Sequence, residues 1–341
     1  MTDIAAWDRF VADTPDGGYL QTSGWAAVKV PNGWTSTRVL TDSNDGPIGV
    51  QILVQHRRPL PWAFGYAPRG PVATRWTPAA VGSLTTALRA RFPGKDGLAT
   101  LRLDPGIEAD GPDDHAGVLR AAFEANGWRP CAPVQPPASR VIDLASSEEA
   151  LWGDLRGKWR QYVNAARRAS VTIVEDDGGR LDVFHSIVRE TAERTGMGYR
   201  TKASYRAVWD AFRPSGDARL LFATGPDGDA QAVLFLVRCG TRVVEPYGGM
   251  TAAGAASRAN YLIKWDAITS SRAAGATSYD LWGLVNPGIA HFKAGFGGRE
   301  IRYVGGFELD LAHVGAPVVR AAANLRQRVR GHAARAAEPG A

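Results

Sequence analysis

The 341-residue chain is 45% hydrophobic and 22% charged, the balance of a globular protein with a sizeable core, and its length suits two domains. Its two cysteines, Cys131 and Cys239, are too few for a disulfide framework and have no metal-ligand spacing. No run of 18 apolar residues is present to span a bilayer, and the acidic opening MTDIAAWDRFVADTPDGG lacks the apolar core of a signal peptide. A soluble, cytoplasmic protein is therefore expected.

The formal net charge of +6 is mild, but it is unevenly placed. Residues 154–168, DLRGKWRQYVNAARR, hold five basic residues against Asp154, and residues 320–335 hold five arginines and no acid. Such clusters suit a polyanion, either nucleic acid or a phosphate-bearing small molecule, and equally suit a solvated helix face. Lys158 and Arg160 in the first cluster, with Arg326 and Arg328 in the second, are the candidate residues for a nucleic-acid contact.

In chain order, a helix is predicted near 3–13. Strands follow at 35–41, 47–58 and within the Gly/Pro-rich 61–72. A helix over 77–91, a buried strand at 99–105, a helix over 113–126 and a strand at 139–144 complete a first half. A second half opens at Ser146, whose spacing to Glu149 is that of a capping box ahead of Leu151 and Leu155. A strand at 171–176 and helices over 180–195 and 202–212 come next. Three strands follow (218–224, 230–238, 241–248), the first two joined by a Pro-Asp-Gly turn. A helix over 257–274 and the strand SYDLWGL from 278 close the series. The order of strands, helix and strand ending in a loop is that of an acetyltransferase-like half, met twice. LRLDPG and YDLWGL occupy comparable places in the two halves.

YLQTSGWAAVK (19–29), YAPRGPV (66–72), LRLDP (101–105) and KWRQYVNAARRASVTI (158–173) are followed by four more stretches. These are RLLFATGPDGDAQAV (219–233), EPYGGM (245–250), ANYLIKWDAI (259–268) and YDLWGLVNPGIAHFKAGFGG (279–298). Together, in this order, they resemble the Fem family of non-ribosomal peptidyltransferases, over roughly 19–311. The resemblance implies an α+β fold of two tandem acetyltransferase-like domains, 1–145 and 146–314, with a C-terminal helix (315–341) packing back on the first. It also implies transfer of an amino acid from aminoacyl-tRNA to an amine of a peptidoglycan-precursor stem peptide, UDP-linked or lipid-linked, with no cofactor or metal and possible action as a monomer. Some members carry a long helical arm in the second domain. Only about 196–201 separates the helices here, which places the chain with the compact, armless branch.

Attack of an amine on an aminoacyl ester needs orientation, proton loss and a stabilised oxyanion, and no nucleophilic residue. A site rich in cations and phenols is expected, and the six histidines show no triad-like context. His291 is the one histidine in a suspect stretch. Lys293 stands between Phe292 and a run of glycines, surroundings a solvated lysine does not need. The resemblance implies that Lys293 lies in the cleft with Phe292 and meets developing negative charge. It also implies that Lys29 and Arg200 hold the acceptor diphosphate, with Arg206 the alternative to Arg200. Tyr66, Tyr205 and Tyr247 are candidate cleft phenols, Tyr247 the foremost because two glycines follow it. Asp104 either accepts the amine proton or belongs to an Asp-Pro-Gly turn, the turn being favoured. Asp280 is either a structural acid or a guide for the amine.

Rival functions remain. A doubled acyl-CoA N-acyltransferase would need a pyrophosphate loop opening a helix, and TAAGAASRAN (251–260) lacks its leading Arg or Gln. A tRNA-dependent enzyme of peptide-antibiotic assembly would use the same site. A non-catalytic tRNA- or nucleotide-binding relative is the third alternative.

Overall fold

A computed structural model describes residues 3–56, 61–93, 97–110, 115–312, 315–318 and 321. Two seven-stranded mixed sheets organise it. The first runs β1 (Thr35–Ser43), β2 (Gly46–His56), β3 (Trp62–Pro68), β5 (Gly97–Asp104), β14 (Gly306–Asp310) and β6 (Trp128–Cys131), with β4 (Val72–Ala73) on β2. The second runs β13 (Arg299–Arg302), β7 (Ala138–Asp143), β12 (Ser278–Asp280), β11 (Arg242–Met250), β10 (Ala230–Cys239), β9 (Ala218–Thr224) and β8 (Thr172–Asp176).

The two sheets follow one plan. In each, a single parallel contact (β3 with β5, β11 with β12) follows an antiparallel run. Each then takes its next strand from the other half of the sequence. β14 lies antiparallel between β5 and β6, and β7 lies antiparallel between β12 and β13. The strand at 139–144, expected to close the first half, therefore belongs to the second sheet, and no single cut in the chain separates the two. A local hydrophobic pattern reports that a segment is extended, whereas its partner is chosen by non-local pairing.

Helices cover the sheets. α3 (Pro78–Arg91) and α4 (His115–Ala125) bury Leu84, Leu88, Leu119 and Phe123 against Ile48, Ile52, Leu101 and Phe307. Alternate residues of β10 divide between two cores, as a period of two requires. Ala232, Leu234 and Leu236 meet α6 (Gly157–Arg168) and α10 (Ala259–Ala273), along with Trp159, Val163 and Ile263. Val233, Phe235 and Val237 face α7 (Leu181–Thr195) and α8 (Lys202–Phe212), together with α1 (Ile4–Asp13) and α2 (Ser23–Lys29) from the start of the chain. That third core joins the halves.

Several local expectations need correction. The helix start near 146 is capped by Ser147, whose hydroxyl accepts the Ala150 N–H. The helix expected over 257–274 is α10, and a short helix that was not expected, α9 (Ala252–Ser257), precedes it across Arg258 at φ 67°. The strand from 278 stops at Asp280 because Trp282 takes φ 61° and turns its N–H back to the Asp280 carboxylate. No arm is inserted between α7 and α8: Gly196, at φ 66°, ends α7 and Lys202 begins α8. Most of the expected C-terminal helix lies outside the described residues. Residues 315–318 are helical, and Gly315 lies so close to the Trp62 ring of the first sheet that a Cβ there would meet it at 2.6 Å.

Candidate active site between the two sheets

β11 and β12 pair only from Arg242–Val244 with Ser278–Asp280 and then diverge. Beyond the split, Pro246 and Tyr247 of β11 and Trp282 after β12 face residues of the first half across a cavity of about 540 Å³. Its lining includes Lys29, Tyr66, Arg102 and Gln135 from the first half and Arg200, Ser204, Tyr247 and Trp282 from the second.

Lys29 is the last residue of α2, with its ammonium 4.3 Å from the centre of the Trp25 ring. Burial, and then the nearby Arg200 guanidinium, lower its pKa to about 8. Arg200 precedes α8 and lies 5.7 Å from the Tyr247 ring centre. Arg206, the alternative, donates to the Gly178 carbonyl and does not line the cavity. Arg102, the third cation, is paired with Glu308 at 2.9 Å. Among the described residues that line this cavity there is no carboxylate. Two unneutralised cations at one partly buried opening form an anion site.

Tyr247 packs edge-on against Tyr205 at 5.1 Å, and desolvation raises both phenols, so both remain protonated donors at neutral pH. Tyr205 is buried beneath the cavity and its hydroxyl accepts the Arg200 backbone N–H at 3.2 Å. The glycines after Tyr247 serve packing. A Cβ at Gly248 would meet Leu234 at 2.6 Å, and one at Gly249 would meet Thr191 at 2.8 Å. Tyr66 lines the cavity, donates to Asp104 Oδ2 at 2.7 Å and accepts from Gln135 Nε2 at 2.9 Å. Asp104, 1% exposed, sits behind it and accepts the Val134 and Gln135 N–H groups. It organises a turn and the Tyr66 phenol and does not itself line the cavity.

Lys293, the foremost sequence candidate, lies on α11 (Pro287–Ala294) and is turned inward. Its ammonium donates to the carbonyls of Trp282 and Gly283, each at 2.9 Å, and it lines neither this cavity nor the larger one described below. Desolvation lowers its pKa to about 8, with Glu245 opposing that shift. Phe292 packs into the core of the second sheet, and its carbonyl accepts the Trp159 indole N–H at 3.1 Å. The glycines that follow Lys293 approach protein, not ligand. A Cβ on Gly295 would lie 2.3 Å from the Trp159 ring, and one on Gly298 2.4 Å from the Val141 carbonyl oxygen.

Asp280 accepts from the Ser139 hydroxyl and the Trp282 N–H, and burial raises its pKa. Arg160 donates to three carbonyls, those of Trp152, Gly153 and Leu155, around the end of α5 (Glu148–Asp154). Lys158 is exposed on α6, 5.7 Å from the Tyr162 ring centre. His291 is exposed and meets Arg156 at 2.7 Å. Arg326 and Arg328 lie outside the described residues.

One arrangement escaped the sequence. At the apex of the split, Lys264 of α10 pairs with Glu245 of β11, whose other oxygen accepts the Tyr279 hydroxyl at 2.8 Å. Lys264 and Glu245 are each 6% exposed and Tyr279 is fully buried. Each reads locally as an ordinary surface charge or core aromatic, so no signal in the chain marks them.

With this geometry in view, residues 3–116 match the FemAB family model, and residues 153–294 match the model described as acetyltransferase (GNAT) domain. The FemAB match thus covers the first third of the chain, and the acetyltransferase match a separate later stretch. The lipid II:glycine glycyltransferase of Staphylococcus saprophyticus is 28% identical over 220 residues, 63% of this chain and 53% of the relative. That of Staphylococcus aureus strain MRSA252 is 27% identical over 62% of this chain and 52% of its own length. The chain thus spans about half the length of these curated relatives. The crystal structure of FemX superposes with a TM-score of 0.82 at 18% identity, covering 94% of this chain and 98% of that one. A tandem GNAT protein from the clavulanic acid pathway superposes at 0.51 and 11% identity, covering 91% and 95%. The fold thus carries two acetyltransferase-like halves, as expected, and each half gives one strand to the other's sheet.

Proposed function

We propose that the chain is an aminoacyltransferase that moves an amino acid from aminoacyl-tRNA to an amine of a peptidoglycan-precursor stem peptide. The observation that carries the reading is the cavity lined by Lys29 and Arg200 with no carboxylate among its described residues. It suits the diphosphate of a nucleotide-linked acceptor. The relatives' printed activity, glycyl transfer to lipid II, supplies the reaction class.

In this reading the neutral acceptor amine attacks the ester carbonyl, a C–N bond forms, and the ester C–O bond breaks. The amine proton ends on the released ribose oxygen. Tyr247, kept protonated by burial, offers a hydrogen bond to the developing oxyanion. Lys293 acts through Trp282, whose carbonyl it holds, and so is a positioning residue. The exposed basic face of α6, including Lys158, serves the tRNA donor, and the chain works in the cytoplasm. Among its described residues no helix is long and apolar enough to cross a membrane.

The GNAT match favours an acyl-CoA donor as the second reading. The geometry of α9 opposes it. The Thr251 hydroxyl already accepts the Gly254 N–H, and Glu190 accepts that of Ala252, so a carboxylate sits where a pyrophosphate would. The test is a mass shift of UDP-linked muropeptides incubated with a mixed aminoacyl-tRNA pool. The expected result is addition of one aminoacyl residue. Acetylation from acetyl-CoA, or tRNA binding without transfer, would replace this reading.

A further inference from the structure

A second, larger cavity of about 770 Å³ lies between the halves, on the other side of Tyr19, Leu20 and Trp282, which line both. The reaction proposed above makes no use of it. Two of the four non-glycine residues at positive φ among those described, Arg69 (51°) and Trp282 (61°), meet in its wall, the guanidinium carbon 5.6 Å from the indole centre. Backbone strain of this kind persists where the surroundings impose it, and it gathers at ligand sites.

Most charged groups of this wall are committed. Arg242 donates to the carbonyls of Val11, Ala12 and Gly17, and Arg299 and Glu108 form a two-bond pair. Asp16 accepts the Trp76 indole N–H on Oδ2, while its buried Oδ1 has no partner among the described residues. Arg69 and Asp280 also keep polar atoms unused. Arg69, 7% exposed, stacks 3.6 Å above the Tyr303 ring and spends one nitrogen on the Pro136 carbonyl, while its buried Nε has no partner among the described residues. Asp280 uses Oδ1 twice, and its Oδ2 receives no bond from a described residue. The Arg69 charge partly offsets the rise that burial gives the Asp280 pKa.

We propose that this cavity binds the zwitterionic head of an amino acid, its carboxylate on Arg69 and its ammonium on Asp280. An arginine with an unused donor and a carboxylate with an unused oxygen, lining one cavity, complement a carboxylate and an ammonium carried on one carbon. The volume admits a side chain beyond the head. The head could be a free amino acid or the end of a longer ligand's side chain, such as diaminopimelate.

Calorimetric titration with free L-amino acids, each beside its N-acetyl and its amide form, tests the site. The expected result is binding by at least one amino acid, weakened about tenfold or more by blocking either end, as loss of a charged hydrogen bond implies. Asp280→Asn should abolish the penalty for N-acetylation, and Arg69→Met that for the amide. Val118→Trp, on the exposed face of α4 at the cavity, should block binding without touching either charge. Lys29→Ala should leave amino-acid binding unchanged while weakening UDP, which separates this site from the acceptor reading. A UDP-muropeptide carrying diaminopimelate that displaces the bound amino acid identifies the head as part of that ligand. Simultaneous binding identifies a free amino acid. Equal binding of blocked and unblocked forms, or none up to about 10 mM, near the weak end of small-ligand affinity, would overturn the proposal.

Discussion

Lys293 holds Trp282 by its backbone. The lysine ammonium binds the Trp282 carbonyl oxygen at 2.9 Å, and Trp282 is a wall of both cavities between the halves. A residue that looks from the sequence like a cation aimed at substrate is, in this geometry, the clasp of the strand end where β12 departs from β11.

Lys293→Ala should therefore leave two carbonyls without a donor and cost about 1–3 kcal/mol of stability. Turnover should fall more than UDP affinity, because Lys293 contacts neither Lys29 nor Arg200 and reaches that cavity only through the Trp282 backbone. Urea melts and a kcat measurement beside a UDP titration check this. Weakened UDP binding with unchanged turnover would reverse the roles.

Lys29→Ala should weaken a UDP-linked acceptor by about tenfold to a hundredfold, the worth of one charged hydrogen bond. Because Lys29 and Arg200 repel each other when the cavity is empty, the double change with Arg200→Ala should cost less than the sum of the singles if one phosphate group binds both. Titration at two salt concentrations reads it, the loss shrinking at higher ionic strength.

Lys29 and Lys293 both titrate near 8 in the folded chain, against 10.5 ordinarily. Between those values the unfolded chain holds protons that the folded one has released. Unfolding free energy contributed by these two groups therefore rises with pH above 8, and below 8 their penalty is constant. Denaturant melts from pH 7 to pH 10 should show wild-type stability rising relative to Lys29→Met and Lys293→Met. A parallel profile for a variant would mean its lysine is not depressed.

Glu245→Ala strands the buried Lys264 ammonium and the Tyr279 hydroxyl and should cost about 3–5 kcal/mol. Replacing both charges, Glu245→Leu with Lys264→Met, should recover most of the loss, because two desolvated ions leave together. Failure of the double variant to recover would show that the network sets the splay of β11 and β12 by geometry as well as by charge.

Asp104→Asn should lower stability and leave the pH dependence of turnover unchanged, since Asp104 acts on Tyr66 and the 134–135 turn from behind the cavity. A pH profile that loses a limb in this variant would return the carboxylate to a proton-accepting role.

Helix and strand positions were legible because burial here follows simple periods. Helices α7 and α8 and strands β9 and β10 stand within a residue of expectation. Lys29, Arg200, Tyr66 and Tyr247 were also legible as members of one cavity. The glycines around Lys293 were real signals of close approach, but of backbone to Trp159 and Val141 rather than to a ligand. Sequence shows that space is tight, and not what fills it.

By itself, then, the chain determined its local elements and its two-fold αβ programme, because these depend on residues near one another; Lys29 and Arg200 were pointed to only by the resemblance. Folding in three dimensions decided the exchange of β7 and β14 between sheets, the inward turn of Lys293, and the burial of Lys264 beside Glu245. It also decided the placing of Arg69 and Asp280 around one cavity. Each of these joins residues far apart in sequence, and for such pairs only the packed structure sets who faces whom and which charges lose their water.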